Sequence, residues 1–212
     1  MSKAWIFDFD GTLVHSEALI TQCFERITKK LAPRRLSVAK QIHIGPPLRH
    51  SVAEILGSPK HPLIDEFVTD FIHMHDNEIL NHTSPYPSVH ETLVSLHEQG
   101  EKMAIATNKR LAPTKKILEY LNWNKFFIFV ECSDSESVIR NKKKMIQAIL
   151  EKDSDFKGAY FIGDTVGDGL AAEYNNLSFI CARYGYGNQE NWEDIRITSN
   201  IKAMKDILKI NI

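Results

Sequence analysis

The chain has 212 residues, 43% hydrophobic and 25% charged, the make-up of an ordinary globular protein with room for one full domain and a small second one. A formal net charge of −1 gives no general attraction to nucleic acid or to an anionic membrane. No apolar stretch approaches membrane-spanning length, and Met1-Ser2-Lys3 runs straight into a strand without a leader pattern, which points to the cytoplasm.

Trp5-Ile6-Phe7 reads as an apolar strand, and Asp8 and Asp10 follow where a buried strand would not accept them. Side chains alternate along a strand, so the two carboxylates are expected on one side, and Gly11 then lets the backbone turn sharply. Two acids at a strand end can bind a divalent cation, supply a nucleophile and supply a proton donor. The plainer account is an Asp-Gly turn closing a strand.

After Leu13-Val14 the period changes to that of a helix, with Leu19, Ile20, Phe24, Ile27 and Leu31 on one face and Pro33 as the stop. Gly45-Pro46-Pro47 breaks the chain, residues 48–56 form a second helix closed by Gly57, and Pro62 opens a longer one. Residues 15–84 therefore read as an all-helical insert. Beyond Pro85-Tyr86-Pro87, helices are expected over 89–97, 114–121, 142–150, 168–174 and 201–208. Strands are expected over 102–106, 126–130, 159–162 and 177–181. Strands alternating with helices imply a parallel sheet covered on both faces, with ligands beyond the carboxyl ends of its strands. That rule gathers Asp8 and Asp10, Thr107 and Asn108, and Asp164. Cys23, Cys132 and Cys181 lie far apart without metal or redox spacing and read as buried free thiols.

Thr107 and Asn108 follow an apolar run and can donate to an oxyanion; both also favour helix caps. Asp164 and Asp168, four apart at a helix start, can turn toward the same strand ends, with capping by Asp168 as a compatible role. So many acids together would repel one another, and carboxylate oxygens suit Mg²⁺. One of Lys142, Lys143 and Lys144 can turn inward to balance charge; by register with Ile146 the choice is Lys142. Arg49 stands at a helix start, where a cation is poorly placed for the helix dipole, which suggests contact with an anionic part of a substrate; a solvated side chain is the equal alternative. The nine histidines show no zinc-type spacing.

Asp8-Phe9-Asp10-Gly11-Thr12-Leu13, Thr107-Asn108 and Gly163-Asp164 with Asp168 resemble, in order, the first, second and fourth motifs of the haloacid dehalogenase-like hydrolases. Pro85-Tyr86-Pro87, Thr107-Asn108-Lys109 and Tyr184-Gly185-Tyr186-Gly187 look like members of the phosphoglycolate phosphatase type. Two departures stand out: no Lys-Pro-x-Pro string marks the third motif, and Ser88 stands where related sequences often carry Gly. The resemblance implies a Rossmann-like α/β core over residues 1–14 and 85–212 with an α-helical cap over 15–84. It implies Mg²⁺-dependent hydrolysis of a small phosphorylated metabolite, with no nucleic-acid or membrane partner. Asp8 would be the nucleophile and Asp10 the acid and base. Asp8, Asp10, Asp164 and Asp168 would serve the metal, and Thr107, Asn108, Lys142, Gly11, Thr12 and Arg49 the phosphoryl group and substrate. A phosphomutase, or a non-catalytic protein on this fold, are the alternatives; the family's dehalogenases lack the second Asp, so Asp10 argues against that reaction.

Overall fold

The computed structural model describes residues 3–135 and 140–210. In chain order it gives β1 (Ala4–Phe7), β2 (Val14–His15), α1 (Glu17–Leu31), α2 (Leu36–Ala39), α3 (Leu48–Leu56), α4 (Ile64–Glu78), β3 (Ser84–Pro85) and α5 (Val89–Glu98). There follow β4 (Lys102–Thr107), α6 (Leu111–Tyr120), β5 (Phe129–Cys132), α7 (Lys142–Lys152), β6 (Tyr160–Gly163), α8 (Val166–Tyr174), β7 (Ser178–Ala182) and β8 (Ser199–Ile201). Two compact units result, Met1–His15 with Ser84–Ile212, and Ser16–Thr83.

The first unit is built on a six-stranded sheet in the order β5-β4-β1-β6-β7-β8, parallel throughout. Its strands are apolar on both faces because both faces are covered. Ile6, Ala104, Phe161 and Phe179 pack with Ile146 and Ile149 of α7 and Ala171 and Ala172 of α8. Phe7 points to the opposite face, where its ring meets Phe127 edge-on at 6.2 Å. The order puts β1 in the middle, with β4 and β6 on either side. Phe7 is level with Ile105 of β4 and with Ile162 of β6, so the three strands end side by side. That is the placement the functional residues need.

The second unit is helical. Phe24 of α1 lies 4.8 Å from Phe71 and 6.4 Å from Phe67 of α4, and Lys30 pairs with Asp70 at 2.7 Å between the same two helices. At its ends the chain departs from the expected all-helical run by one residue each way. His15 pairs with Ser84 and Val14 with Pro85 in a two-stranded antiparallel ladder. All three cysteines are buried and free, and burial pushes each thiol up to about 12. Among the described residues no helix is long and apolar enough to cross a membrane.

Two expected elements need correction. Residues 124–126 form a 3-10 turn, and the strand expected over 126–130 is β5, two to three residues later. Phe126 and Phe127 are buried, so their hydrophobicity reports core filling by a turn and not a strand. At the carboxyl end no α-helix spans 201–208: Ile201 belongs to β8, and Met204–Lys209 is a 3-10 helix. Ser88, the position where related sequences carry Gly, has φ +65°. An L-residue there is held in a left-handed conformation that glycine adopts without a steric penalty.

Candidate active site

Sheet pairing continues one residue past β1: the Asp8 N–H donates to the Ile162 carbonyl at 2.8 Å, and the side chain of Asp8 is then left at the strand ends, 5% exposed. The chain turns at once. Leu13 and Val14 N–H groups both donate to the Phe9 carbonyl, Gly11 donates to Val14, and Gly11 holds φ +84°. A Cβ at Gly11 would lie 2.2 Å from Asp164 Oδ2, so the turn can approach that carboxylate only as glycine.

Asp164 follows β6, and Asp168 sits in the first turn of α8. The cap of α8 is Thr165, not Asp168: the Thr165 hydroxyl accepts from the Asp168 N–H, while Asp168 Oδ2 accepts from the Thr165 N–H at 3.0 Å and from the Thr165 hydroxyl at 2.7 Å. This capping box fixes one oxygen of Asp168 and leaves Oδ1 to face Lys142 Nζ at 2.5 Å. Asp164 is held from two sides, by the Thr12 hydroxyl on Oδ1 at 2.8 Å and by the Tyr186 N–H on Oδ2 at 2.7 Å. The Tyr184 hydroxyl donates to the Thr12 carbonyl at 2.9 Å, so the 184–187 loop and the 9–14 turn grip the same carboxylate. Between them, Gly185 leaves no room for a side chain: a Cβ would meet Asp164 Cβ at 2.2 Å and the Gly11 carbonyl at 2.4 Å.

Lys142 opens α7 behind an Asn141 cap and is the lysine of its run that enters the site, 2.8 Å from Asp8 Oδ1 as well as close to Asp168. Lys143 instead lies over the Tyr174 ring at 5.1 Å. Asp10 does not join this group. Both of its oxygens accept from Lys109 Nζ at 3.0 Å, and its side chain is 16% exposed against 7% for Asp8. Thr107, at the end of β4, is buried and accepts the Lys109 N–H on its hydroxyl at 3.2 Å; Asn108 is half-buried beside it. Three residues expected at the substrate have other contacts here. The Thr12 hydroxyl is fully buried against Asp164, which makes Thr12 a support for that carboxylate. Gly11 acts through its turn and its close approach. Arg49, in the helical unit, is exposed and pairs with Asp65 at 2.7 Å. Lys109 and the 184–187 loop carry site contacts that no local pattern assigned.

Asp8, Asp164 and Asp168 each offer an oxygen, all within 4.8 Å of one another and all buried. Burial pushes the Asp8 carboxyl up to about 7, with Lys142 pulling it down and Asp168 pushing it further up. Burial, then Asp168 and Asp8, hold Asp164 well above the usual carboxylate range despite its bonds from Thr12 and Tyr186. On Lys142, burial works against the ammonium, but Asp168 and Asp8 outweigh it and raise its pKa. One ammonium therefore faces three buried acids, an unbalanced set of hard oxygen donors that fits a divalent cation. A carboxyl whose folded pKa is raised from 3.8 to about 7 binds more protons folded than unfolded across that window, so metal-free stability falls as pH rises through it. The gap in melting temperature between samples with a divalent cation and with chelator should widen from pH 5 to pH 8. A constant gap would mean that the acids are already ionised at pH 5.

The sequence pattern of the haloacid dehalogenase-like hydrolases matches residues 5–182. The chain is similar to pyrophosphatase PpaX of Halalkalibacterium halodurans, 27% identical over 97% of this chain and 94% of the relative. It is similar to phosphoglycolate phosphatase of Nitrosococcus oceani at 27% identity, over 95% and 93% of the two chains. A haloacid dehalogenase-like hydrolase structure from Streptococcus pneumoniae has the same fold, with a TM-score of 0.82 at 23% identity over 98% and 97%. With the family's pattern running through most of its length, the chain belongs to the haloacid dehalogenase-like hydrolases.

Proposed function

We propose that this chain is a Mg²⁺-dependent phosphatase that hydrolyses a small phosphate monoester through an aspartyl-phosphate. The observation that supports it best is the unequal placement of two carboxylates two residues apart. Asp8 is buried against Lys142 and the acid cluster, whereas Asp10 stands apart, more exposed, in the hand of Lys109. That difference supports attack by Asp8 and proton transfer by Asp10.

In the first step an Asp8 oxygen bonds to phosphorus, the bond from phosphorus to the leaving oxygen breaks, and Asp10 gives its proton to that oxygen. In the second, Asp10 takes a proton from water as the water oxygen bonds to phosphorus and the bond from phosphorus to the Asp8 oxygen breaks, which releases inorganic phosphate and restores the Asp8 carboxylate. Thr107, Asn108 and Lys142 hold the phosphoryl oxygens, and Lys142 keeps its charge through its acidic neighbours. Asp8, Asp164, the Asp10 carbonyl and Asp168 would hold the Mg²⁺. When bound, the ion offsets the charge of carboxylate and phosphate so that two anions can approach. Residues 16–83 are read as the inserted cap domain of this family.

The relatives' names put phosphoglycolate and pyrophosphate first on a substrate panel. Phosphate release should require Mg²⁺ and be suppressed by excess Ca²⁺, whose larger and looser coordination misplaces the nucleophile. In Asp164→Asn the Mg²⁺ concentration for half-maximal activity should rise about tenfold or more. Turnover indifferent to chelator, or no phosphate release from any compound on the panel, would overturn the proposal. Unchanged metal dependence in Asp164→Asn would remove Asp164 from the metal site.

A further inference from the structure

The contact between Lys109 and Asp10 joins residues on two different strand ends. Lys109 is tied down along its backbone: its N–H donates to the Thr107 hydroxyl at 3.2 Å, and its carbonyl accepts from the Ser133 N–H at 3.3 Å. Its side chain is only 5% exposed, and its ammonium ends 3.0 Å from each oxygen of Asp10. The long flexible stem is therefore already ordered, and the donor sits symmetrically across the carboxylate.

A carboxylate on a turn has several staggered side-chain orientations and a broad terminal torsion. A proton-transfer group, however, must lie within about 2.6–3.2 Å of its target atom. We propose that Lys109 is a positioning residue that holds the Asp10 carboxylate toward the leaving oxygen. The inference rests on the reading of Asp10 as acid and base. One oxygen of Asp10 carries the proton to or from the reacting atom while the other still accepts from Nζ, so the side chain keeps its place through both steps. Lys142 cannot substitute, since its ammonium is engaged by Asp8 and Asp168.

The test is Lys109→Met, which keeps the stem and removes the donor. It is assayed by kcat/KM with an alkyl phosphate, whose leaving alkoxide needs a proton, and with p-nitrophenyl phosphate, whose leaving group does not. The quantity kcat/KM covers only the steps through departure of the leaving group, and the ratio between substrates is independent of the fraction of folded enzyme. Loss of positioning should lower the alkyl-to-aryl ratio about tenfold to a hundredfold, the scale on which a displacement of about 1 Å acts. A structural role alone would lower both substrates together. Asp10→Asn runs beside it. If Asp10→Asn lowers the ratio and Lys109→Met does not, the positioning role is overturned. If Asp10→Asn itself leaves the ratio unchanged, the assignment of Asp10 fails first.

Discussion

Asp8→Asn should abolish hydrolysis of every phosphate monoester and leave no phosphorylated enzyme in rapid-quench or intact-mass analysis. An amide nitrogen or oxygen does not replace the carboxylate as a nucleophile, and losses of a nucleophile elsewhere run to about four orders of magnitude or more. The same change should raise thermal stability in chelator. Burial disfavours the Asp8 anion so strongly that Lys142 does not restore its ordinary pKa, and Asp168 adds repulsion. A neutral side chain of equal size removes that cost. An inactive variant that melts higher than the parent without metal, and gains less from Mg²⁺, is the combined signature. A phosphorylated Asp8→Asn enzyme would reverse the roles given to the two aspartates.

The second large effect belongs to Asp10→Asn, because it keeps the nucleophile and loses the proton carrier. With an alkyl phosphate the first step should slow by roughly two to four orders of magnitude, the usual worth of a general acid. With p-nitrophenyl phosphate that step should suffer much less, but the second step still needs a base to activate water. The aspartyl-phosphate should therefore accumulate and turn over slowly, visible as added mass on the intact protein. Absence of that species, with rapid turnover of p-nitrophenyl phosphate, would remove Asp10 from the second step.

Much of the frame was legible because parallel strands buried on both faces are short apolar runs, and each functional strand stops at a polar residue. Phe7 before Asp8 and Gly163 before Asp164 mark those stops in the sequence and in the sheet, while β4 runs one residue past the expected end and takes in Thr107. Helix period favoured Lys142 but left Lys143 and Lys144 open; in the structure Lys142 lies four residues before Ile146, and both are buried on one face of α7. Where composition misled, packing explained it. Phe126 and Phe127 fill the core from a turn, and the brief β8 is recruited by pairing with β7, a partner that no local alternation announces. The same limit hid Lys109. Lys109 entered only as part of the Thr107-Asn108-Lys109 resemblance, without a role, because its partner Asp10 is distant in sequence. The support of Asp164 by Thr12 and Tyr186 is equally nonlocal.

The β2–β3 ladder has a consequence for how such a protein can change. Because Val14 pairs with Pro85 and His15 with Ser84, the chain leaves and re-enters the sheet-bearing unit at adjacent rungs. To that unit the long excursion through Ser16–Thr83 is topologically a hairpin tip. Lengthening such a loop adds only about 0.6 kcal/mol of closure entropy per doubling. The residues proposed for attack, proton transfer and the metal lie outside the excursion, and of the residues expected at the substrate Arg49 lies inside it. Whatever the length of the excursion, the chain departs and returns through the same four paired residues.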